Sequence, residues 1–336
     1  MSTNIIDRLI EKIDEKQNPC VVGLDPVLNR IPVPIMDHAK ETGTYTDALR
    51  IFNEGIVDAV ADLVPAVKLQ IAFYEMHGKN GLEVFKKTVD YARSKGLIVM
   101  EDGKRNDIES TARAYADGHL GVVDTWFGPR ASLDVDFLTV NPYLGSDGLK
   151  PFVEVCQKQG KGIFILAKTS NPSSGELQDR LVELRAEERS ELERIGIETR
   201  DERTVRQLAP LYHIVALQVN RFARISRGKR NYSPIGAVVG ATYPEQAEVL
   251  RKIMPNSFFL VPGYGTQGGG ARDIPACFNS DGYGAVVNNS RGIIYAYEKT
   301  GKPAQFAEAA REATQVMIAE VRSALKQAGK WPERWK

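Results

Sequence analysis

Residues 66–102 read AVKLQIAFYEMHGKNGLEVFKKTVDYARSKGLIVMED, two short apolar runs separated by a helical pattern. The runs are Ala66–Gln70 (AVKLQ) and Leu97–Asp102 (LIVMED); between them, Gly81–Ser94 places Leu82, Val84, Phe85 and Val89 along one helical face. Both runs are nearly continuous in apolar residues instead of alternating, which is the pattern of strands buried on both faces. Strand, helix and strand in this order form a parallel pair joined by a right-handed crossover.

The same rhythm extends in both directions. Cys20–Asp25 precedes the stretch, and Phe137–Asn141, Gly162–Lys168, Ile235–Gly240, Phe258–Pro262 and Ala285–Asn289 follow it, which makes eight runs. Thr46–Leu63, with Leu49, Ile51, Phe52, Ile56, Val57 and Val60 on one face, reads as a helix, as do Pro244–Met254 and Pro303–Ala328. Eight βα units predict an α/β protein folded as a closed (β/α)8 TIM barrel, with residues 1–336 forming a single domain. An open doubly wound sheet is the alternative. The GxGxxG expected after its first strand is absent, and Gly23-Leu24-Asp25-Pro26 stands there instead. One segment breaks the rhythm: 176–206 is dense in Glu, Asp and Arg. It predicts a charged, solvated helical excursion after strand five, laced by i,i+4 ion pairs. A partner-binding arm is the sharper alternative, and nothing in the sequence selects it.

Composition narrows the classes. With 44 Lys+Arg against 43 Asp+Glu the formal charge is +1, which offers no field for nucleic acid or an anionic membrane. No apolar run approaches the roughly 20 residues of a membrane span. The opening MSTNIIDRLIEKIDEKQ is charged throughout, so no secretory signal is expected. Cys20, Cys156 and Cys277 lie far apart with no CxxC, which predicts reduced thiols in a cytoplasmic protein. The four histidines fall on helices or connections, so neither a His base nor a metal site is expected.

In a barrel the active face is built from strand C-termini and the loops after them. The first three strands deliver Asp25, Lys68 and Asp102 there, and the third continues through Lys104 to Asp107. Singly, Asp107 could be a helix cap and Lys104 a solvated charge. Together, Lys68, Asp102, Lys104 and Asp107 make an alternating row in which each ammonium keeps its neighbouring carboxylates ionised, and the reverse. Such a row sets a negative charge against a departing group, beside a cation able to donate a proton. After strand seven, Val261–Gly270 (VPGYGTQGGG) is rich in glycine, and strand eight ends in Asn288-Asn289-Ser290-Arg291-Gly292. Loops seven and eight are the usual phosphate site of this fold, with Arg291 as the bidentate cation and Gln267 as a neutral amide. Asn141 and Ser170, each near a proline at the end of strand four or five, are either turn formers or readers of a planar polar ring.

These residues resemble a known family. Asp102-Gly103-Lys104-Arg105-Asn106-Asp107-Ile108 with Ser110-Thr111 is similar to the signature of orotidine 5′-phosphate decarboxylases. The resemblance extends to Val22–Pro26, Val67-Lys68, Thr139–Tyr143, Lys168–Pro172, Pro262–Gly269 and Ser290-Arg291, in the order found in the longer bacterial subfamily. It implies a homodimeric barrel that decarboxylates orotidine 5′-phosphate to UMP, the last step of de novo pyrimidine nucleotide synthesis, without cofactor or metal. Lys104 would donate a proton to C6, and Asp102 would press on the substrate carboxylate. Lys68 would bridge the carboxylates and a ribose hydroxyl, and Asp25 would bind ribose. Ser170 would face the pyrimidine, Gln267 and Arg291 would hold the phosphate, and Asp107 and Thr111 would reach the neighbouring subunit's site. The runner-up readings are a sister Mg-dependent sugar-phosphate decarboxylase or aldolase of the same barrel group, and a non-catalytic nucleotide-binding barrel.

Overall fold

The computed structural model of the chain describes residues 4–199, 206–265 and 270–335. Its strands are β1 (Cys20–Leu24), β2 (Ala66–Gln70), β3 (Ile98–Arg105), β4 (Phe137–Val140), β5 (Gly162–Lys168), β6 (Leu181–Glu183), β7 (Leu208–Pro210), β8 (Ser233–Val239), β9 (Ser257–Val261) and β10 (Ala285–Asn289). All except β6 and β7 close into a parallel barrel in chain order, with β1 pairing β2 on one side and β10 on the other. The eight strands fall where the eight apolar runs predict them. Among the described residues, no helix is long and apolar enough to cross a membrane.

The continuous apolar runs have a simple cause. On each strand, alternate residues face opposite sides, and here both sides are buried. Val22, Leu24, Val67, Leu69, Val99, Leu138, Ile163, Ile165, Ile235 and Val287 point outward into the core shared with the surrounding helices. Val21, Ala66, Ile98, Met100, Phe137, Phe164, Phe258, Leu260 and Val286 fill the barrel interior. The helix Ile5–Lys16 belongs to that inner cluster. Asn4 caps it by accepting from the Ile6 N–H at 3.2 Å, and Ile5, Ile6, Leu9, Ile10 and Ile13 are at most 1% exposed. It closes the end of the barrel opposite the strand C-termini, each buried side chain contributing about 1.5–3 kcal/mol.

Two expectations need correction. β3 does not stop at Asp102 but runs to Arg105, with a register shift against β4 between Glu101 and Arg105. Lys104 there adopts a left-handed backbone, φ 49°, which a non-glycine residue holds only when its surroundings compel it. The 176–206 segment is only partly helical. Gly175–Gln178 makes one turn and Ala186–Arg194 a nine-residue helix that ends near Gly196, φ 74°. Between and after them, β6 and β7 form an antiparallel pair outside the barrel; residues 200–205 lie outside the described residues. The apolar residues are too sparse for one long amphipathic helix. The i,i+4 pair Arg189–Glu193 is long, 3.9 Å, whereas Glu191 takes Arg221 of the next helix, Leu211–Ala223, at 2.8 Å.

That next helix also carries a buried base. His213 is 6% exposed, neither ring nitrogen has a hydrogen-bond partner among the described residues, and burial lowers its pKa from 6.5 to about 4. The unfolded chain therefore takes up this proton below pH 6.5 and the folded chain only below about 4. His213's contribution to stability is intact above pH 6.5 and is lost as the pH falls toward 4, by about 3 kcal/mol. Denaturant titrations at pH 7 and pH 4.5 should show that drop in the native chain and a smaller one in His213→Phe. Equal slopes with pH would rule the histidine out as the cause.

Candidate active site

At the C-terminal mouth of the barrel lies a cavity of about 300 Å³. Strands β1 to β3 bring a chain of charges to one wall. Lys68 on β2 is 4% exposed, with its Nζ 3.7 Å from Asp25 Oδ1 and 3.6 Å from Asp102 Oδ2. Lys104 Nζ donates to Asp102 Oδ1 at 2.6 Å, and its side chain is 47% exposed toward the mouth. The connected order within one chain is Asp25–Lys68–Asp102–Lys104.

Asp102 is the hub. Besides the two ammoniums it accepts from Thr139 Oγ1 at 2.8 Å and Gln70 Nε2 at 2.9 Å. Burial alone would raise its pKa. The charges of Lys68 and Lys104, with the Lys104 and Thr139 hydrogen bonds, outweigh burial and hold it at about 2. Burial alone would likewise lower the Lys68 pKa, but the Asp25 and Asp102 charges reverse this and raise it. Both groups are therefore charged at neutral pH. Thr139 Oγ1 also accepts from the Lys104 N–H at 2.9 Å, which helps pin the left-handed backbone there.

The opposite wall comes from later strands. Ser170 follows β5, and Arg291 opens a short helix after β10; both line the cavity. Gly23 is needed where it stands, because a Cβ there would lie 2.6 Å from Ser290 Cβ and push the two strand ends apart. Gln267 lies outside the described residues, as do its neighbours at 266, 268 and 269.

Three anticipated residues do not line this cavity. Asp107 accepts from the Ile108 N–H at 2.7 Å, and among the described residues no ion pair joins it to Lys104. Thr111, on the helix Glu109–His119, lines a separate outer groove with Ile71, Glu75 and Tyr115. Asn141 Oδ1 accepts from the Tyr143 N–H at 3.0 Å, an Asx turn, so here its side chain shapes the chain. Conversely, sequence reasoning misses Gln70, Thr139 and Asn288. Each stands two residues beyond an inward-facing position (Lys68, Phe137 and Val286), so strand parity is the signal that could have found them. Asn288 is 6% exposed and its Oδ1 has no partner among the described residues, leaving an acceptor at the cavity wall. Leu166, Val238 and Leu260 form an apolar floor that no chemical motif announces. Among the described residues, no group of three His, Cys, Asp or Glu side chains is arranged to hold a metal ion.

The match to a family model covers residues 47–306 and is described as the orotidine 5′-phosphate decarboxylase / HUMPS family. The orotidine 5′-phosphate decarboxylase of Rhodopirellula baltica is 45% identical over 280 residues, 83% of this chain and 84% of that protein. That of Caldicellulosiruptor bescii is 41% identical over 300 residues, 88% and 90% of the two chains. Among solved structures, the Leishmania donovani OMP decarboxylase superposes with a TM-score of 0.64 at 25% identity, covering 96% of this chain and 98% of that one.

Proposed function

The chain belongs to the orotidine 5′-phosphate decarboxylase family, a family of carboxy-lyases, and on that premise we propose that it converts orotidine 5′-phosphate to UMP. The observation that carries the proposal is the Lys104–Asp102–Lys68 chain at the mouth of the cavity, an ionised carboxylate clasped by two ammoniums.

The reaction needs a place where a carboxylate is unwelcome and a developing carbanion is not. Asp102, held ionised with a pKa of about 2, repels the substrate carboxylate. The C6–carboxylate bond breaks with its electron pair left on C6, carbon dioxide departs, and the Lys104 ammonium neutralises the pair by delivering its proton. Lys104 then recovers a proton from solvent, so the sum is substrate plus one proton to UMP plus carbon dioxide. No step calls for a metal or an organic cofactor. Lys68 and Asp25 hold ribose hydroxyls, Ser170 the pyrimidine, and Arg291 with Gln267 the phosphate. Binding energy from the phosphate, remote from the reacting carbon, can then be spent on closure and orientation.

The working unit we propose is a cytoplasmic homodimer of this barrel, residues 1–336, in which Asp107 and Thr111 complete the neighbouring site. Their position outside the cavity of their own chain supports this, as do Trp126 and Phe127, 93% and 77% exposed beyond the helix that carries Thr111. The three cysteines are buried and unpaired, in keeping with a reducing compartment. The test is the loss of ultraviolet absorbance of orotidine 5′-phosphate in excess chelator. Turnover there supports the proposal. Turnover only with added Mg²⁺ would point to the sister chemistry, and UMP binding without turnover to a nucleotide-binding barrel.

A further inference from the structure

Lys168, the last residue of β5, is 1% exposed yet does not line the cavity. A register shift between Leu166 and Lys168 accounts for this: Leu166 faces the cavity floor, and the irregularity turns Lys168 away. Its Nζ donates to Asp179 Oδ1 at 2.7 Å and to Ser174 Oγ at 3.4 Å. It also lies 5.7 Å from the ring centre of Tyr212 and 5.4 Å from that of Tyr243. Next to it, the Thr169 N–H donates to Gln178 Oε1 at 2.9 Å, and Gln178 Nε2 returns a bond to Thr169 Oγ1 at 2.8 Å. Thr169 Oγ1 in turn donates to Asn171 Oδ1 at 2.7 Å. The other side of the segment is braced by β8's continuation: the Gly240 N–H donates to Lys168 O at 2.8 Å, and a Cβ on Gly240 would lie 3.0 Å from Ser170 Cβ.

A buried ammonium with one carboxylate partner is a poor source of stability, because desolvation cancels most of the attraction; an apolar side chain would pack there at less cost. Lys168 is buried while the Asp179 side chain is 40% exposed, so the pair sits at the edge of the fold, and what it supplies is a fixed register for the turn that carries Asp179. Asp179 and Gln178 are neighbours on one turn, so the ion pair and the two amide bonds tie that turn to the end of β5 at two successive residues. The residues thus fixed, Thr169, Ser170 and Asn171, are the ones that line the cavity.

We infer that Lys168, Asp179 and Gln178 form a latch that positions Thr169–Asn171 for recognition of the pyrimidine, making Lys168 a positioning residue rather than a catalytic one. This rests on the reading of Ser170 as the residue facing the base. The latch also explains why a charged segment follows β5 at all, since the first turn of that segment supplies both Gln178 and Asp179.

Calorimetry on the full chain with two probes tests this, UMP and ribose 5-phosphate, which has the sugar and phosphate but no base. Lys168→Met should weaken UMP by about tenfold, as loss of an orienting partner does elsewhere, and leave ribose 5-phosphate unchanged. Gln178→Ala, a substitution that spares the ion pair, should weaken UMP about threefold with the same selectivity, and it decides the matter if Lys168→Met does not fold. Equal weakening of both probes, or no weakening of either in a folded variant, overturns the latch. If the native chain binds neither UMP nor orotidine 5′-phosphate, the proposed function fails first and the latch with it.

Discussion

Replacing Lys104 by alanine is expected to lower kcat for orotidine 5′-phosphate by about 10⁴-fold, the upper range for loss of a positioned proton donor, while UMP affinity stays within about tenfold of native. No neighbour can take over. Lys68 is the nearest other ammonium, but it is 4% exposed and engaged between Asp25 and Asp102. Its raised pKa makes it a still more reluctant donor. Lys104 is also the residue whose backbone is held left-handed, so its placement is specified by the main chain and by Thr139 as well as by its own charge. Ligand affinity should survive because the grips proposed for phosphate, ribose and base lie with other residues. The absorbance assay paired with UMP calorimetry separates the two quantities. A variant that turns over within tenfold of native would remove Lys104 from the role of donor.

Asp102→Asn should lower kcat by about 10³-fold, since it deletes the charge at which two ammoniums and two neutral donors converge. The replacement is nearly isosteric, but Thr139 and Gln70 donate to different carboxylate oxygens, so the amide keeps an acceptor for one of them and the loss combines the charge with one hydrogen bond. It also distinguishes two roles for the carboxylate. If Asp102 acts by repelling the bound substrate, orotidine 5′-phosphate should bind the variant about tenfold more tightly relative to UMP, because two like charges in contact are worth at least that much even when screened by nearby cations. If it acts only on the transition state, the ratio of the two affinities will not move. We expect the ratio to move. Because the Asp102 pKa is about 2, the repulsion persists across the whole range in which the protein is handled, and the native ratio should be flat from pH 5 to pH 8.

The barrel is legible in the sequence because its strands are buried on both faces. Val21 and Val22 go to different cores, yet each requires an apolar side chain, so the run itself marks the strand. The Asp102–Lys104 pair is suggested by strand parity, but β3 is irregular there, and the left-handed Lys104 backbone held by Thr139 brings the two together, while Asp107 stays outside the row. Parity fails where the backbone is irregular. Lys168 reads in sequence as one more polar strand end at the active face, and the irregularity before it turns it elsewhere. The 176–206 segment misleads for another reason. The partner of Leu181–Glu183 is Leu208–Pro210, and a pairing across that separation leaves no local trace. Asn141 is ambiguous by nature, since an amide next to a proline serves equally for a turn or a ligand, and the hydrogen bond from the Tyr143 N–H selects the turn within this chain.

The helix Ile5–Lys16 makes the barrel a flask with a stoppered foot. Among the described residues, five aliphatic side chains fill the lower opening, and Asp7, buried on the same helix, is engaged by the Lys229 N–H at 2.8 Å. On the proposed reaction, the nucleotide going in, carbon dioxide and UMP coming out, and the proton that recharges Lys104 would all pass the cavity at the top. On that reading the gas would be released into a vessel whose neck is still occupied by the product formed with it. Traffic through that neck, and not the carbon–carbon bond alone, would then depend in part on a helix at the far end of the molecule.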